Sequence, residues 1–260
     1  MLRIKNKFDL NGKVAIITGS SKGIGASIAR GLAEFGAHVI VTSRKMNAVE
    51  KVAQEIRDDG FGASAFECHV AHDEQRKNLI NFATGITGSI DILINNVGTN
   101  PYYGPIEEMS FEAYQKTMDI NVNAAMALSN LVYPFMKQQV HGSIIHISSI
   151  EGLHASAMMS AYNISKASLI MLGQNQAVEW AKDKIRVNII CPGLVQTKLS
   201  AALFTDEKML ERMINRIPLR RAADPDEIAG LACFLASDAS SYTTGSVIVN
   251  DGGLLLASLF

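Results

Sequence analysis

Cysteine is scarce in this chain: Cys68, Cys191 and Cys233 are the only three in 260 residues, far apart and odd in number. That excludes a disulfide framework and a thiolate metal cluster, and it fits buried thiols in a reducing cytoplasm. The six histidines are scattered, without an H-x-x-x-H pair or a cysteine partner, so no catalytic metal is expected. Long apolar runs are missing too; none approaches the ~18–20 residues of a membrane span. The opening MLRIKNKFDLNGK is basic but has no apolar core and no small-residue cleavage site, so no export signal is expected. Charge of one sign is also lacking, with 24 Lys and Arg against 25 Asp and Glu and a net charge of −1. With no long basic run, neither nucleic acid nor a membrane is expected as a partner, and a cytoplasmic location is expected.

What is present is an alternation. Short β-rich runs at 14–18, 38–43, 63–70, 91–96, 142–149, 185–192 and 246–250 are separated by longer helical patterns. The helical stretches fall near 23–35, 46–58, 72–86, 110–138, 160–182, 198–216 and 225–236. The strand runs are almost continuously apolar, as they are when both faces of a sheet are covered. The order predicts an α/β fold: one Rossmann-type domain over 1–260, a doubly wound parallel sheet of about seven strands with helices on both faces. The last helix has a readable start, with Asp224 as cap, Pro225 in the first turn and Glu227 three residues on. Ligands of such sheets bind beyond the carboxyl ends of the strands, which makes the strand ends the places to read.

The first strand runs into GSSKGIG, residues 19–25. Glycines let a backbone turn sharply and approach a ligand, and the following helix offers free N–H groups to a pyrophosphate. Gly19, Ser21, Lys22, Gly23, Ile24 and Gly25 are therefore the expected phosphate cradle of a dinucleotide. The second strand ends in Ser43, Arg44 and Lys45, with no carboxylate to bond a ribose 2′-hydroxyl. Arg44 and Ser43 suit a 2′-phosphate, with Lys22 as a further cation, so NADP(H) is the expected cofactor. In AYNISKAS, residues 161–168, Tyr162 and Lys166 stand one helical turn apart.

The spacing G-x-x-x-G-x-G, together with Asn121, Ser149, Tyr162 and Lys166 in order, resembles the classical short-chain dehydrogenase/reductase family. So do Asn95-Asn96-Val97-Gly98 and Pro192-Gly193-Leu194-Val195-Gln196-Thr197, and the resemblance covers residues 8–253. Residues 43–45, ECHV at 67–70, VGTNPYYGPIEE at 97–108 and PGLVQTK at 192–198 are similar to the family's NADP-dependent carbonyl and retinal reductases. The resemblance implies a reduction in which Tyr162 passes a proton to the carbonyl oxygen. Lowering a phenol from pKa ~10 to near 7 takes roughly 4 kcal/mol, which Lys166 and a positive nicotinamide are expected to supply. By the same resemblance Lys166 also bonds the nicotinamide ribose, Ser149 orients the substrate oxygen, and Asn121 holds a water that links Lys166 to solvent.

Further cofactor contacts implied are Val70, Asn95, Val97, Gly98, Pro192, Gly193, Val195 and Thr197. His69 stands where many relatives carry an aspartate on the adenine; it either stacks on the base or points away. Substrate contacts are expected from Leu153, His154, Met158 and Tyr102, and from Leu199 and Leu203 in a lid near 194–222. A small carbonyl or alcohol compound, apolar or aromatic, is the expected substrate. A 3-oxoacyl thioester on a carrier protein is the alternative, with Arg216, Arg220 and Arg221 as its docking patch, and a non-catalytic NADP(H)-binding regulator is the alternative of another class. The family implies a homotetramer, with the apolar 254–260 stretch packed on a neighbour.

Overall fold

VAIIT forms strand β1 (Val14–Thr18), and all five of its side chains are buried. Successive residues point to opposite faces, so Val14 and Ile16 enter one core and Ala15 and Ile17 the other. The computed structural model describes residues 3–197, 200, 204 and 206–257. Strands β2 (His38–Ser43), β3 (Ala63–Glu67), β4 (Ile92–Asn95), β5 (Gly142–Ile147), β6 (Ile185–Pro192) and β7 (Val247–Asn250) complete the sheet. Its order is β3-β2-β1-β4-β5-β6-β7, and every pair is parallel.

Helices α1 (Gly23–Glu34) and α2 (Met46–Asp58) cover one face. Ile28, Leu32, Val49 and Ile56 from these helices join Ala15, Ile17, Val39 and Val41 in a single core. Helices α3 (Asp73–Thr87), α4 (Phe111–Met118), α5 (Ala124–Gln139) and α6 (Ser160–Trp180) follow. Leu79, Leu128, Val132 and Ala177 from three of them fill the opposite core with Val14, Ile16 and Ile40. Helices α7 (Glu207–Arg216), α8 (Asp226–Ala236) and the short α9 (Leu254–Ala257) complete the chain. The strand order reverses direction between β1 and β4, so a crevice opens beyond their carboxyl ends. No helix among the described residues is long and apolar enough to cross a membrane.

The structure departs from the sequence expectations at several ends. The helix expected over 110–138 is broken by a wide turn, Asp119–Asn123, between α4 and α5. Asn121 sits in that turn, and such local widening is found mostly at functional sites. The fifth strand stops at Ile147, because Ser149 turns the chain by accepting the Glu151 N–H at 3.1 Å. At α8 the Asp224 side chain is not the cap; the Glu227 carboxylate accepts the Asp224 N–H at 3.0 Å instead. Part of the expected 198–216 helix lies outside the described residues. Leu254 and Leu255, expected against a neighbour, pack within the chain beside Ile150, Leu194, Ile217 and Met213.

A buried polar chain ties β4, β5, α5 and α6 together. Asn95 Nδ2 donates to Ser129 Oγ at 3.2 Å and to His146 Nδ1 at 3.3 Å. His146 Nε2–H then donates to Gln176 Oε1 at 2.8 Å, the tautomer that this network requires. Burial of the His146 ring lowers its pKa from 6.5 to about 4. The unfolded chain therefore takes up a proton near pH 6.5 that the folded chain refuses. The stabilisation is complete above pH 6.5 and is lost as the pH falls toward 4. At 1.36 kcal/mol per unit the loss approaches about 3 kcal/mol. Urea midpoints measured across this window should fall more steeply for the wild type than for His146→Asn; parallel curves would remove His146 as the cause.

Candidate active site

The glycine turn after β1 is held from the side by the loop after β4. Asn96 Nδ2 donates to Thr18 O at 2.9 Å and to Gly19 O at 3.2 Å. Thr18 Oγ1 accepts the N–H groups of Asn96 at 3.0 Å and Val97 at 3.3 Å. The approach is so close that side chains are excluded. A Cβ on Gly25 would lie 2.5 Å from Asn96 Nδ2 and 2.6 Å from Gly19 O. Gly19 and Gly23 have φ of +67° and +55°, which favours glycine. The first helical bond runs from Ala26 N–H to Lys22 O at 3.4 Å, so the N–H groups of Gly23, Ile24 and Gly25 precede the ladder and face the crevice end. Ser21 is half-buried and Lys22 exposed, while the Ile24 side chain packs against the core, leaving its backbone for a ligand. These features fit a pyrophosphate between Gly19 and Gly25.

Ser20 links this turn to the second strand. Its hydroxyl accepts the Thr42 N–H at 2.9 Å, and its own N–H donates to Thr42 O at 3.1 Å. Ser43 and Arg44 are thereby held next to the turn, Ser43 half-buried and Arg44 exposed. Arg44 lines a cavity of about 510 Å3 with His69, Ala71, Phe111, Lys116 and Ile120 among its walls. His69, which lines this cavity, accepts the Ala71 N–H on Nδ1 at 3.3 Å. Burial lowers the His69 pKa, and His72, Arg44 and Lys116 lower it further. The reading that no carboxylate stands at the end of the second strand needs correction. Ser43 pairs with Glu67 across β2 and β3, and the Glu67 carboxylate accepts the Met46 N–H at 2.7 Å.

Val70 and Val97 meet on a small cavity with Thr18 and Ile120, and the Val70 side chain is buried in the core. Asn95 is also buried and turns to His146, so its amide supports the loop from beneath. Gly98 lies over Lys166: a Cβ there would be 3.4 Å from Lys166 Nζ. On the far side, the Gly193 N–H donates to Asn250 O at 3.0 Å, which fixes the turn after Pro192. Val195 pairs with Ala223, and Thr197 Cγ2 stands 3.3 Å from where a Gly23 Cβ would be. The turns after β1, β4 and β6 thus converge on one crevice.

At the centre of that crevice are the three side chains singled out from β5 and α6. Ser149 and Tyr162 are each 9% exposed and Lys166 2%. Ser149 stands beside the Tyr162 hydroxyl and acts to lower its pKa. Lys166 Nζ lies 5.6 Å from the centre of the Tyr162 ring and donates to Ile147 O at 2.8 Å. The expected acidic phenol depends on a positive nicotinamide as well as Lys166; the chain's own groups act mostly the other way. Burial pushes Tyr162 up to about 12, Ser149 pulls it back, and Glu151 pushes it up again. Burial also lowers Lys166 to about 8, against a smaller opposing effect of Cys191. The Asn121 amide is taken up by the 96–100 loop and α6: Oδ1 accepts the Thr99 N–H at 2.8 Å, and Nδ2 donates to Thr99 O and Ser165 Oγ at 2.9 Å each.

The expected substrate contacts are brought together in part. The Gly104 N–H donates to Met158 O at 2.9 Å, which sets the Tyr102 loop beside Met158. The Tyr102 hydroxyl, however, donates to Pro105 O at 2.7 Å, so its polar end is used within its own loop. Leu153 and His154 follow the Ile150–Gly152 turn and are exposed. Leu199 and Leu203 lie outside the described residues. Asn96, Lys116 and Glu151 were not singled out as site residues from the sequence. Of these, only Asn96 carried a signal, its place inside the Asn95–Gly98 motif.

A family model described as Enoyl-(Acyl carrier protein) reductase matches residues 19–255. Human dehydrogenase/reductase SDR family member 4 is 39% identical over 94% of this chain and 88% of its own length. A gluconate 5-dehydrogenase from Burkholderia cenocepacia, solved with NADP and tartrate, superposes with a TM-score of 0.93 at 33% identity, covering 98% of this chain and 99% of the other. A 7α-hydroxysteroid dehydrogenase, solved with NADH and 7-oxo glycochenodeoxycholic acid, does so at 0.92 and 33% identity, covering 97% and 98%.

Proposed function

Since the chain belongs to the short-chain dehydrogenase/reductase family of oxidoreductases, we propose that it is an NADP(H)-dependent reductase of ketones and aldehydes, with Asn121, Ser149, Tyr162 and Lys166 as its working group. The observation that carries this reading is the convergence of Ser149, Tyr162 and Lys166 beside a glycine turn that admits no Cβ at Gly25. A bound nicotinamide dinucleotide supplies the hydride in reduction and takes it up in oxidation. The glycine turn from Gly19 to Gly25 would hold its pyrophosphate. Ser43 and Arg44 would hold the 2′-phosphate, the neighbouring Glu67 carboxylate being engaged by the Met46 N–H; Val70 and His69 would border the adenine, and Val97, Gly98, Pro192, Gly193, Val195 and Thr197 would flank the nicotinamide half.

The chain's own chemistry then concerns one proton. A phenol held at about 12 is fully protonated at neutral pH, which is the form that donates to a carbonyl oxygen as it becomes an alcohol. Ser149, beside that phenol, would place the carbonyl oxygen next to it. Lys166, at about 8, keeps its charge through most of the neutral range and would stabilise the phenolate after donation. Asn121 holds the 96–100 loop over this group. A spectrophotometric assay with NADPH and a panel of ketones, aldehydes and diketones tests the reading. Tight NADPH binding with no turnover across the panel would favour a non-catalytic regulator.

Cofactor preference rests on Arg44. Arg44→Asp should shift the ratio of kcat/KM for NADPH over NADH by about 100-fold toward NADH, a charge-assisted pair replaced by a repulsion. An unchanged ratio would remove Arg44 as the determinant. In the arginine patch of the carrier-protein alternative, Arg221 is bonded to Glu227 at 2.6 and 2.7 Å and Arg220 to Asn215 O, and all three arginines, Arg216 included, are exposed; activity with a 3-oxoacyl carrier-protein thioester but none with free ketones would favour that alternative. Helix α7 would act as the lid expected near 194–222, since Leu210 and Met213 pack with Ile150, the neighbour of Ser149. A substrate with an apolar or aromatic body suits that wall. Exposed Phe111, Met126, Ile164, Met171 and Val178 on α4, α5 and α6 support pairing with further copies of the chain in a homotetramer. Light scattering should return a tetramer mass; a monomer mass would sink this assignment. The buried free thiols Cys68, Cys191 and Cys233 suit a cytoplasmic setting.

A further inference from the structure

Glu151 stands two residues beyond Ser149 and has no part in the proton transfer described above. Its place is tightly set. The backbone N–H donates to Ser149 Oγ at 3.1 Å. The carboxylate accepts the Ser156 hydroxyl, and Ser156 Oγ in turn accepts Asn163 Nδ2 at 3.1 Å. Asn163 follows Tyr162 on α6. The other carboxylate oxygen lies 3.8 Å from His154 Nε2. Gly152 clamps the turn on α6, since a Cβ there would come 2.7 Å from the Lys166 carbonyl carbon.

The side chain keeps 21% of its surface exposed, beside a crevice where Ser149 and Tyr162 are each 9% exposed. Its charge reaches the reacting group, because Glu151 is one of the causes that raise the phenol. Among the described residues, His154 faces it from its own loop, while Lys166 of α6 spends its ammonium on Ile147 O. The neighbouring wall of Ile150, Leu194, Ile217 and Met213 is apolar.

We infer that Glu151 is a specificity-determining residue: an anionic edge of the substrate cleft that turns away carbonyl compounds with a carboxylate or phosphate near the reacting carbon and admits neutral or cationic ones. The inference rests on the reductase reading and names the substrate class for it. Like charges brought close in a partly dry site repel strongly, whereas a neutral isostere feels none of this.

The test uses a 3-oxo acid and its ethyl ester as matched substrates with NADPH. The wild type should favour the ester by about tenfold or more in kcat/KM. Glu151→Gln should bring the two within about threefold, chiefly by lowering KM for the acid, while Glu151→Asp keeps the preference. With the ester, Glu151→Gln should also move the alkaline limb of kcat/KM to lower pH, because the phenol loses a negative neighbour. An ester preference that survives in Glu151→Gln, or a wild type that prefers the acid, overturns the inference while leaving the reductase reading intact. No turnover of any carbonyl compound by the wild type would sink that reading, and this inference with it.

Discussion

Tyr162→Phe is expected to cut carbonyl reduction by about 10³–10⁴-fold while leaving NADPH affinity within about threefold of the wild type. The substitution removes one oxygen and keeps the ring, so the packing of a side chain only 9% exposed is preserved. Ser149 keeps the Glu151 N–H at 3.1 Å, and Lys166 keeps Ile147 O at 2.8 Å. The cradle for the dinucleotide is built by other elements and should not notice. A fall in kcat without a matching rise in the dinucleotide Kd is therefore the signature sought. Turnover within tenfold of the wild type would mean that another group donates the proton, and the mechanism would have to be rebuilt around it.

Gly25→Ala should be nearly as damaging, by a different route. The added carbon would sit 2.5 Å from Asn96 Nδ2, 2.6 Å from Gly19 O and 2.9 Å from Ser20 Cα. Two of these three atoms are backbone, so relief requires the glycine turn itself to shift. Overpacking of this kind costs about 1–3 kcal/mol, or roughly 2–10 °C in Tm for a chain of this size. The larger effect falls on binding, because the turn that moves is the one that would hold the pyrophosphate; dinucleotide Kd should rise by about 100-fold or more. Gly230→Ala on α8 is the control. Nothing lies within 4 Å of its added carbon, and exchanging glycine for alanine in a helix gains up to about 1 kcal/mol. Equal NADPH affinity in Gly25→Ala and Gly230→Ala would show that the turn does not hold the ligand.

How legible this was depended on how local each cause is. β1 and β2 were readable to the residue, because a run such as VAIIT has one stable use in a chain of this composition. The glycine turn was readable because strand, glycines and helix are contiguous. Glu67 was not: it reaches the end of β2 only through the Ser43–Glu67 register, twenty-four residues away in the chain. The wide turn at Asn121 was hidden for a similar reason, since Thr99, its partner, lies on another loop. The Tyr162–Lys166 spacing shows a cation nearby, while burial and Glu151, which act the other way on the phenol, appear only in three dimensions. The orientation of His69 likewise needed the fold, which sets Arg44 and Lys116 around it.

The short helix α9 carries a practical consequence. Leu254, 7% exposed, and Ile150, next to Ser149, share one apolar cluster with Met213 of α7. An affinity handle or fluorescent fusion attached just beyond residue 257 would pull on that cluster and so on the reaction centre. One attached ahead of Arg3, where the 4–8 turn has no buried side chain, would leave it alone, so enzymologists should engineer the amino end.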